Sequence, residues 1–208
     1  MPKTFQDTII TTRAFGFRHL WMDSLCTIQD SLEDWHRESK EMREMYRNST
    51  LTIAATVSAS GEEGCFRETA TSHKGIAITG HTLDRRRFTV FRRRPLPTTN
   101  FENSPLLKRA WAYQERLLSP RLLHFTSQEL VWGCMEDACC ECTKPDSSGN
   151  ISYHWINTKI SHSKALPDPA PSTALIKRWQ QLVRDYTRLD LTLTRDKFSA
   201  ISGLAKEM

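Results

Sequence analysis

Apolar residues recur along this chain in two rhythms, helical spacing and short unbroken runs, and the alternation of the two predicts its elements. Phe5, Ile9, Thr12 and Phe15 fall close to one face, Pro2 suits a first turn and Gly16 a left-handed helix end, so residues 2–15 are expected to be helical. Leu20-Trp21-Met22 then reads as a short buried strand ending abruptly in Asp23. Ser31-Leu32-Glu33-Asp34 is a capping-box pattern, in which a serine and an acid three residues on satisfy free helix N–H groups. From there Leu32, Trp35, Ser39, Met42 and Met45/Tyr46 mark a helix over Leu32–Arg47, with Glu33 and Arg37 placed to pair four residues apart. Leu51 to Thr56 is β-branched and apolar, as a central strand covered on both faces would be.

Beyond Ser58 the rhythm changes. Ile76–Ile78 and Phe88–Phe91 read as strands, the second bracketed by Arg85-Arg86-Arg87 and Arg92-Arg93-Arg94, charges that suit an edge strand protected from edge-to-edge pairing. Residues 95–105 read as a loop. Leu106–Leu118 is predicted as one helix stopped by Pro120. Arg121–Thr126 and Glu129–Cys134 alternate as the arms of a hairpin. Residues 137–171, rich in Ser, Pro and Asp, read as a long irregular loop, and Leu175, Trp179, Leu182/Val183, Tyr186 and Leu189 define an amphipathic helix over Thr173–Leu189. A last helix begins at Phe198. Helix and strand alternating at these lengths imply parallel crossover units, so the fold expected is α/β. It is a mostly parallel sheet flanked by helices, with an added β-hairpin and C-terminal helices. One domain is expected over residues 1–208, with a core of about 1–142, an irregular loop at 143–171 and helices at 172–208.

Composition narrows the setting. The 208 residues carry 29 Lys+Arg against 24 Asp+Glu, a net +5 too small to mark a nucleic-acid binder, and no aromatic stacking platform is interleaved with the arginines, so no nucleic-acid partner is expected. The N-terminus has no basic stretch followed by an apolar one, and the longest apolar run, Leu51–Val57, is far below the roughly 20 residues a membrane span needs. Six cysteines without a secretory signal suit a reducing compartment, and a cytoplasmic protein is expected. Cys134, Cys139, Cys140 and Cys142 form C-x4-C-C-x-C within nine residues; structural zinc sites instead use well separated knuckles, so the expected metal is none, with these four as the weak candidates. Cys26 has no histidine at a spacing that would pair with it, and Trp21, Trp35, Trp111, Trp132 and Trp179 fall at core-facing positions.

Candidate chemistry collects at two stretches. Asp23 ends a predicted strand, where ligands of open α/β sheets are held, and its carboxylate would either face a ligand or cap the turn Ser24-Leu25-Cys26. Ser24, Cys26, Gln29 and Asp30 are the candidate ligand contacts around it. Gln114-Glu115-Arg116 is the second polar block; three consecutive helical residues point in different directions, so they cannot all face one ligand. Glu115 is the candidate catalytic residue of the three, Gln114 and Arg116 candidate ligand contacts, and a structural role in tying the helix to its surroundings is open for all.

Several stretches taken together resemble the fungal heterokaryon incompatibility (HET) domain. They are Pro2–Asp7, Leu20–Asp30, Asp34-Trp35 with Glu38, Met42 and Tyr46, Leu51–Ala55, Arg109–Arg121, Leu123-His124-Phe125, Trp132-Gly133-Cys134 and the segments from Trp179 to Ala205. Relatives usually open with a further strand upstream and continue beyond the C-terminal end, so the chain resembles a core trimmed at both ends. The resemblance implies a signalling or interaction domain in fungal non-self recognition and programmed cell death, with other incompatibility proteins or self-association as partners. It further implies a sheet likened to TIR domains, with a flavodoxin-like arrangement. Some TIR domains cleave NAD, so NAD is a possible substrate though no cofactor is certain, and the enzyme implied would be a NAD glycohydrolase-like hydrolase. Its catalytic set would be Asp23, Glu38 and Glu115, with Glu38 on the family pattern as the residue that holds the ribose and steadies an oxocarbenium-like state. A trimmed relative recruited to small-molecule biosynthesis is the remaining alternative.

Overall fold

In the computed structural model, which describes residues 1–68, 71, 74–92, 104–141, 154–165 and 172–208, a four-stranded mixed sheet is flanked by helices and a separate two-stranded hairpin stands beside it. The sheet runs in the order β1 (Thr52–Ala54), β4 (Arg121–Phe125), β5 (Leu130–Cys134) and β6 (Ala138–Cys140). The α/β class, the added hairpin and the C-terminal helices follow the sequence. The sheet is not mostly parallel, however: β1 and β4 form its one parallel pair, with Ile53 opposite Leu123, while β4–β5 and β5–β6 are antiparallel. The reason is local, since β4, β5 and β6 are joined by turns of a few residues, which can only reverse the chain. β1 therefore lies at the edge of the described sheet, not at its centre.

Helix α1 (Lys3–Ala14) closes with Gly16 in the left-handed region, as its pattern predicts, but its buried residues are Asp7, Thr11 and Thr12. The Asp7 carboxylate draws this polar face inward by accepting from the backbone N–H of Cys65 at 2.8 Å and of Phe66 at 3.4 Å while pairing with Lys3. Leu20–Met22 does not form a strand; it is extended backbone with Leu20 exposed, and the short helix α2 (Asp23–Cys26) follows directly. Helix α3 (Leu32–Arg47) has the predicted bounds, and the Ser31 hydroxyl accepts from the Asp34 N–H at 3.2 Å. Arg37 pairs with Asp34 and Glu38 in place of Glu33, because Asp34 is buried and Glu33 exposed.

The helix expected over 106–118 is two helices, α4 (Pro105–Lys108) and α5 (Ala110–Leu118). Arg109 between them is extended and forms a parallel bridge with Asp190, whose carbonyl accepts from the Ala110 N–H at 2.9 Å and whose N–H donates to Lys108 at 2.7 Å. The stretch read as an irregular loop contains β6 and helix α6 (His154–Ala165); its remaining residues, Cys142 included, lie outside those described. Residues 93–103, with Arg93 and Arg94, also lie outside. Helix α7 (Ser172–Tyr186), a 3-10 turn (Thr194–Lys197) and helix α8 (Ser199–Ala205) complete the chain.

The main core forms where Leu117, Leu118, Tyr113 and Ala110 of α5 meet Leu182 and Tyr186 of α7 and Ala200, Ile201 and Leu204 of α8. Five tryptophans rim the cores half-buried: Trp21, Trp35, Trp111, Trp132 and Trp179. α8 approaches α5 so closely that the Gln114 amide oxygen accepts from the Gly203 N–H at 2.7 Å, and a Cβ on Gly203 would lie 2.8 Å from that oxygen and 3.2 Å from the Arg43 Cβ. Gly203→Ala is expected to cost about 2 kcal/mol, from overpacking and the displaced buried hydrogen bond. Urea unfolding monitored by far-UV circular dichroism measures it, and an unchanged midpoint would contradict this packing.

Candidate functional site

Asp23 opens α2, and its Oδ1 accepts from the Ser24 N–H at 2.7 Å, while the N–H groups of Leu25 and Cys26 go to the Met22 carbonyl. The loop that follows is pinned from within. Gln29 Nε2 donates to the carbonyls of Thr27 at 2.9 Å and Ser24 at 3.5 Å, and buried Asp34 accepts from the Ile28 N–H at 2.8 Å. Ser24, Cys26, Gln29 and Asp30 are all exposed along it. The preceding residue pair anchors the loop to α3: the Trp21 ring meets Tyr46 edge-on, with centroids 5.6 Å apart. α3 in turn packs on α5 through Trp35 and Trp111, whose centroids are 6.4 Å apart.

These contacts gather four ionisable side chains from elements far apart in sequence. Tyr46 faces Glu115 of α5 closely enough for each to act on the other's proton affinity, and the charges of Asp23 and Arg109 act on both. Burial pushes the Glu115 carboxyl up to about 7; the negative charge of Asp23 adds to the rise, while Arg109, Tyr46 and Arg116 oppose it. Tyr46 is raised well above the usual phenol range by burial first and then by the charges of Glu115 and Asp23. A carboxyl that holds its proton about half the time at neutral pH, beside a second carboxylate, can give and take protons while its neighbour steadies positive charge.

The other sequence candidates are placed differently. Glu38 pairs with Arg37 at 3.2 Å on α3, and no contact among the described residues joins it to Asp23 or Glu115. Gln114 turns to Gly203, and buried Arg116 donates through Nε to the Ala112 carbonyl at 3.1 Å and lies over the Tyr113 ring, so both are engaged in the core. Among the described residues no three His, Cys, Asp or Glu side chains assemble as a metal set. Cys134 accepts from the N–H groups of Glu136 and Asp137 at 3.5 and 3.3 Å, Cys139 and Cys140 sit on β6, and Cys142 lies outside the described residues. Tyr46 and Arg109 are the members that sequence reasoning did not assign to the site. Helical spacing puts Tyr46 on the packed face of α3, but only the break at Arg109 shows how that residue reaches Glu115.

At the opposite end of α5, Lys159 of α6 is buried and donates through Nζ to the carbonyls of Arg116, at 2.6 Å, and Ser119. It closes the C-terminal end of the helix that carries Glu115, where a cation suits the helix dipole. Burial lowers its amine to about 7.

The sequence model of the family described as Heterokaryon incompatibility protein (HET) matches residues 1–115. The chain belongs to this family, and the matched residues include Asp23, Glu38, Tyr46, Arg109 and Glu115. Neither the curated proteins nor the solved structures contain a match to it. No helix among the described residues is long and apolar enough to cross a membrane.

The two shifted groups set opposite pH dependences. Glu115 is raised in the fold, so its contribution to stability is full below about 4.5 and is lost as pH rises through about 7. Lys159 is lowered, so its contribution is full above about 10.5 and is lost as pH falls through about 7. At about 1.4 kcal/mol per unit these spans are at most about 3.5 kcal/mol for Glu115 and about 5 kcal/mol for Lys159. Their sum has its minimum near neutrality. Measured against the parent chain from pH 4 to 10, Glu115→Gln should flatten the acid limb of this trough and Lys159→Met the alkaline limb. Unchanged profiles in both variants would refute the burial of these groups.

Proposed function

We propose that this protein is an effector domain of fungal non-self recognition whose engagement leads to growth arrest and cell death. The observation that carries the reading is the family match over residues 1–115. It acts as a signalling and interaction domain in the cytoplasm, with other incompatibility proteins or further copies of itself as partners. Expression from an inducible promoter in a filamentous fungus tests this reading. Growth arrest or death, alone or after fusion with strains carrying related proteins, is the expected outcome, and normal growth in every combination would remove the reading's main support.

A second reading is favoured by Glu115, raised to about 7 with the charge of Asp23 acting on it: hydrolysis of the N-glycosidic bond of NAD or a related nucleotide. The bond from the ribose anomeric carbon to nicotinamide breaks, and nicotinamide leaves with the bonding pair. Water adds to the oxocarbenium-like carbon as Glu115, in its carboxylate form, takes the water's proton, which then passes to solvent. Asp23 steadies the developing positive charge, Tyr46 orients Glu115, and Glu38 remains the candidate for holding the ribose. The TIR-like character of the sheet belongs to this reading as an analogy of fold.

Purified protein incubated with NAD should release nicotinamide, detected by chromatography. Glu115→Gln and Asp23→Asn should each lower the rate by about a hundredfold or more, as for loss of a general acid–base group. Release that survives both substitutions would place the chemistry elsewhere.

A further inference from the structure

The β2–β3 hairpin supplies an observation that neither reading uses. β2 (Ile76–His81) and β3 (Arg87–Arg92) pair antiparallel through six registers, and no other described strand joins them. The register sorts their side chains. Ile76, Ile78, Phe88 and Val90 share one face with Gly80 and Arg92, while Thr79, Thr89, His81 and Arg87 share the other with Ala77 and Phe91. Among the described residues the apolar face is exposed, with Ile76 at 68%, and at the tip Leu83 is fully exposed. A hairpin in water ordinarily turns such a face onto a core.

Charge surrounds this apolar surface at both ends. Arg85, Arg86 and Arg87 follow Leu83 at the tip, and Arg92 closes the far end of the strand. Residues 74–92 hold five cationic side chains and one acid, Asp84, a net +4 out of the chain's +5. Asp84 is itself paired with Arg86 at 3.0 Å. The turn is firmly built, with the Thr82 N–H donating to the Arg86 carbonyl and the Arg85 N–H to the Thr82 carbonyl, both at 2.9 Å, and Arg85 accepts a φ of 62° to close it.

We propose that the β2–β3 hairpin attaches the protein to an anionic lipid surface. The apolar face and Leu83 enter the boundary between headgroups and acyl chains, and Arg85, Arg87 and Arg92 reach the lipid phosphates. A lipid surface fits better than the other polyanions because the exposed side chains are mainly aliphatic. Nucleic acid offers bases to stack and no phase in which isoleucine, valine and leucine leave water. An acidic protein fits less well because a two-stranded face has no groove to receive anchoring side chains, and pairing along a strand edge would leave the apolar face wet. Lipid asks only for apolar area and cations, and the hairpin supplies both.

Co-sedimentation of the full chain with vesicles decides the matter. Binding is expected to phosphatidylserine–phosphatidylcholine vesicles, to fall as salt is raised, and to be at least tenfold weaker with phosphatidylcholine alone. The double variant Arg85→Asn/Arg87→Gln should bind anionic vesicles about 25-fold less tightly, at about fivefold per arginine, and Leu83→Asp at least fivefold less tightly. All three side chains are exposed, so the variants should keep the parent melting temperature, and Glu115→Gln should bind vesicles as the parent does. Absent binding to anionic vesicles, equal binding to neutral ones, or binding indifferent to the tip variants would each overturn the proposal. So would capture by a polyglutamate peptide or a short single-stranded DNA without vesicle binding. The NAD and cell-death assays test a different part of the molecule, so their failure leaves this result standing.

Discussion

Burying α5 leaves the Tyr113 hydroxyl without a hydrogen-bond partner among the described residues but supplies one to Gln114, Arg116 and the helix's last carbonyls, and most of the architecture can be traced to where those partners come from. Gln114 takes its hydrogen bond from α8, and Arg116 folds back onto its own helix and the Tyr113 ring. The Ser119 hydroxyl bonds the Thr52 hydroxyl of β1 at 2.8 Å and the Glu115 carbonyl at 2.7 Å, and Lys159 of α6 closes the last carbonyls. An unpaired polar atom in such a setting costs about 1–3 kcal/mol, so each neighbouring element is fixed in position by a group it must satisfy. The apolar cluster around Leu118, Leu182 and Leu204 supplies the area that drives association, and the polar partners select one arrangement of it.

The same helix explains why Glu115 is chemically distinct from its neighbours. Successive residues rotate by about 100°, so Gln114 and Arg116 are turned into the core while Glu115 faces α3 and the loop at Asp23. The break at Arg109 belongs to this geometry. By bridging Asp190 the chain starts α5 afresh, and the guanidinium of an exposed residue comes within electrostatic reach of both Glu115 and Tyr46. A continuous helix from Leu106 would have carried that side chain around the axis instead. The site is thus assembled by three contacts between elements: Trp21 with Tyr46, Tyr46 with Glu115, and Trp35 with Trp111.

What the sequence could reveal follows from how each element is stabilised. α3 was legible to its ends because a capping serine and an amphipathic stripe are local signals. The hairpin of β4 and β5 was legible because alternation and a short turn lie together between Arg121 and Cys134. α6 was not, since its buried residues include Lys159 and His162, and a helix that turns polar groups inward has no apolar period to read. α1 hid its inward face for the same reason, through Asp7, Thr11 and Thr12. Leu20–Met22 has strand composition, but composition cannot supply a pairing partner, and among the described residues β1 pairs with β4 alone. Asp23 and Glu115 were each visible as candidates. Their electrostatic interaction, and the part of Tyr46 and Arg109 in it, depends on packing between residues more than sixty positions apart.

Two groups that titrate near neutrality, one on α5 and one at its C-terminal end, make the helix sensitive to the pH at which the protein works. Proton uptake by Glu115 removes a negative charge opposed by Asp23, and proton loss from Lys159 removes a positive charge opposed by Arg116. Either event relieves the cost of a charge held away from water. The Asp7 carboxylate behaves otherwise, because its Lys3 partner and two backbone donors outweigh burial and hold it below the usual range. A buried acid with a lysine partner and two backbone donors anchors α1 to the loop at Cys65, whereas Glu115 meets the negative charge of Asp23. Half-buried, with its carboxyl raised to about 7, Glu115 thus differs from Gln114 and Arg116 of the same helix, which are engaged in the core.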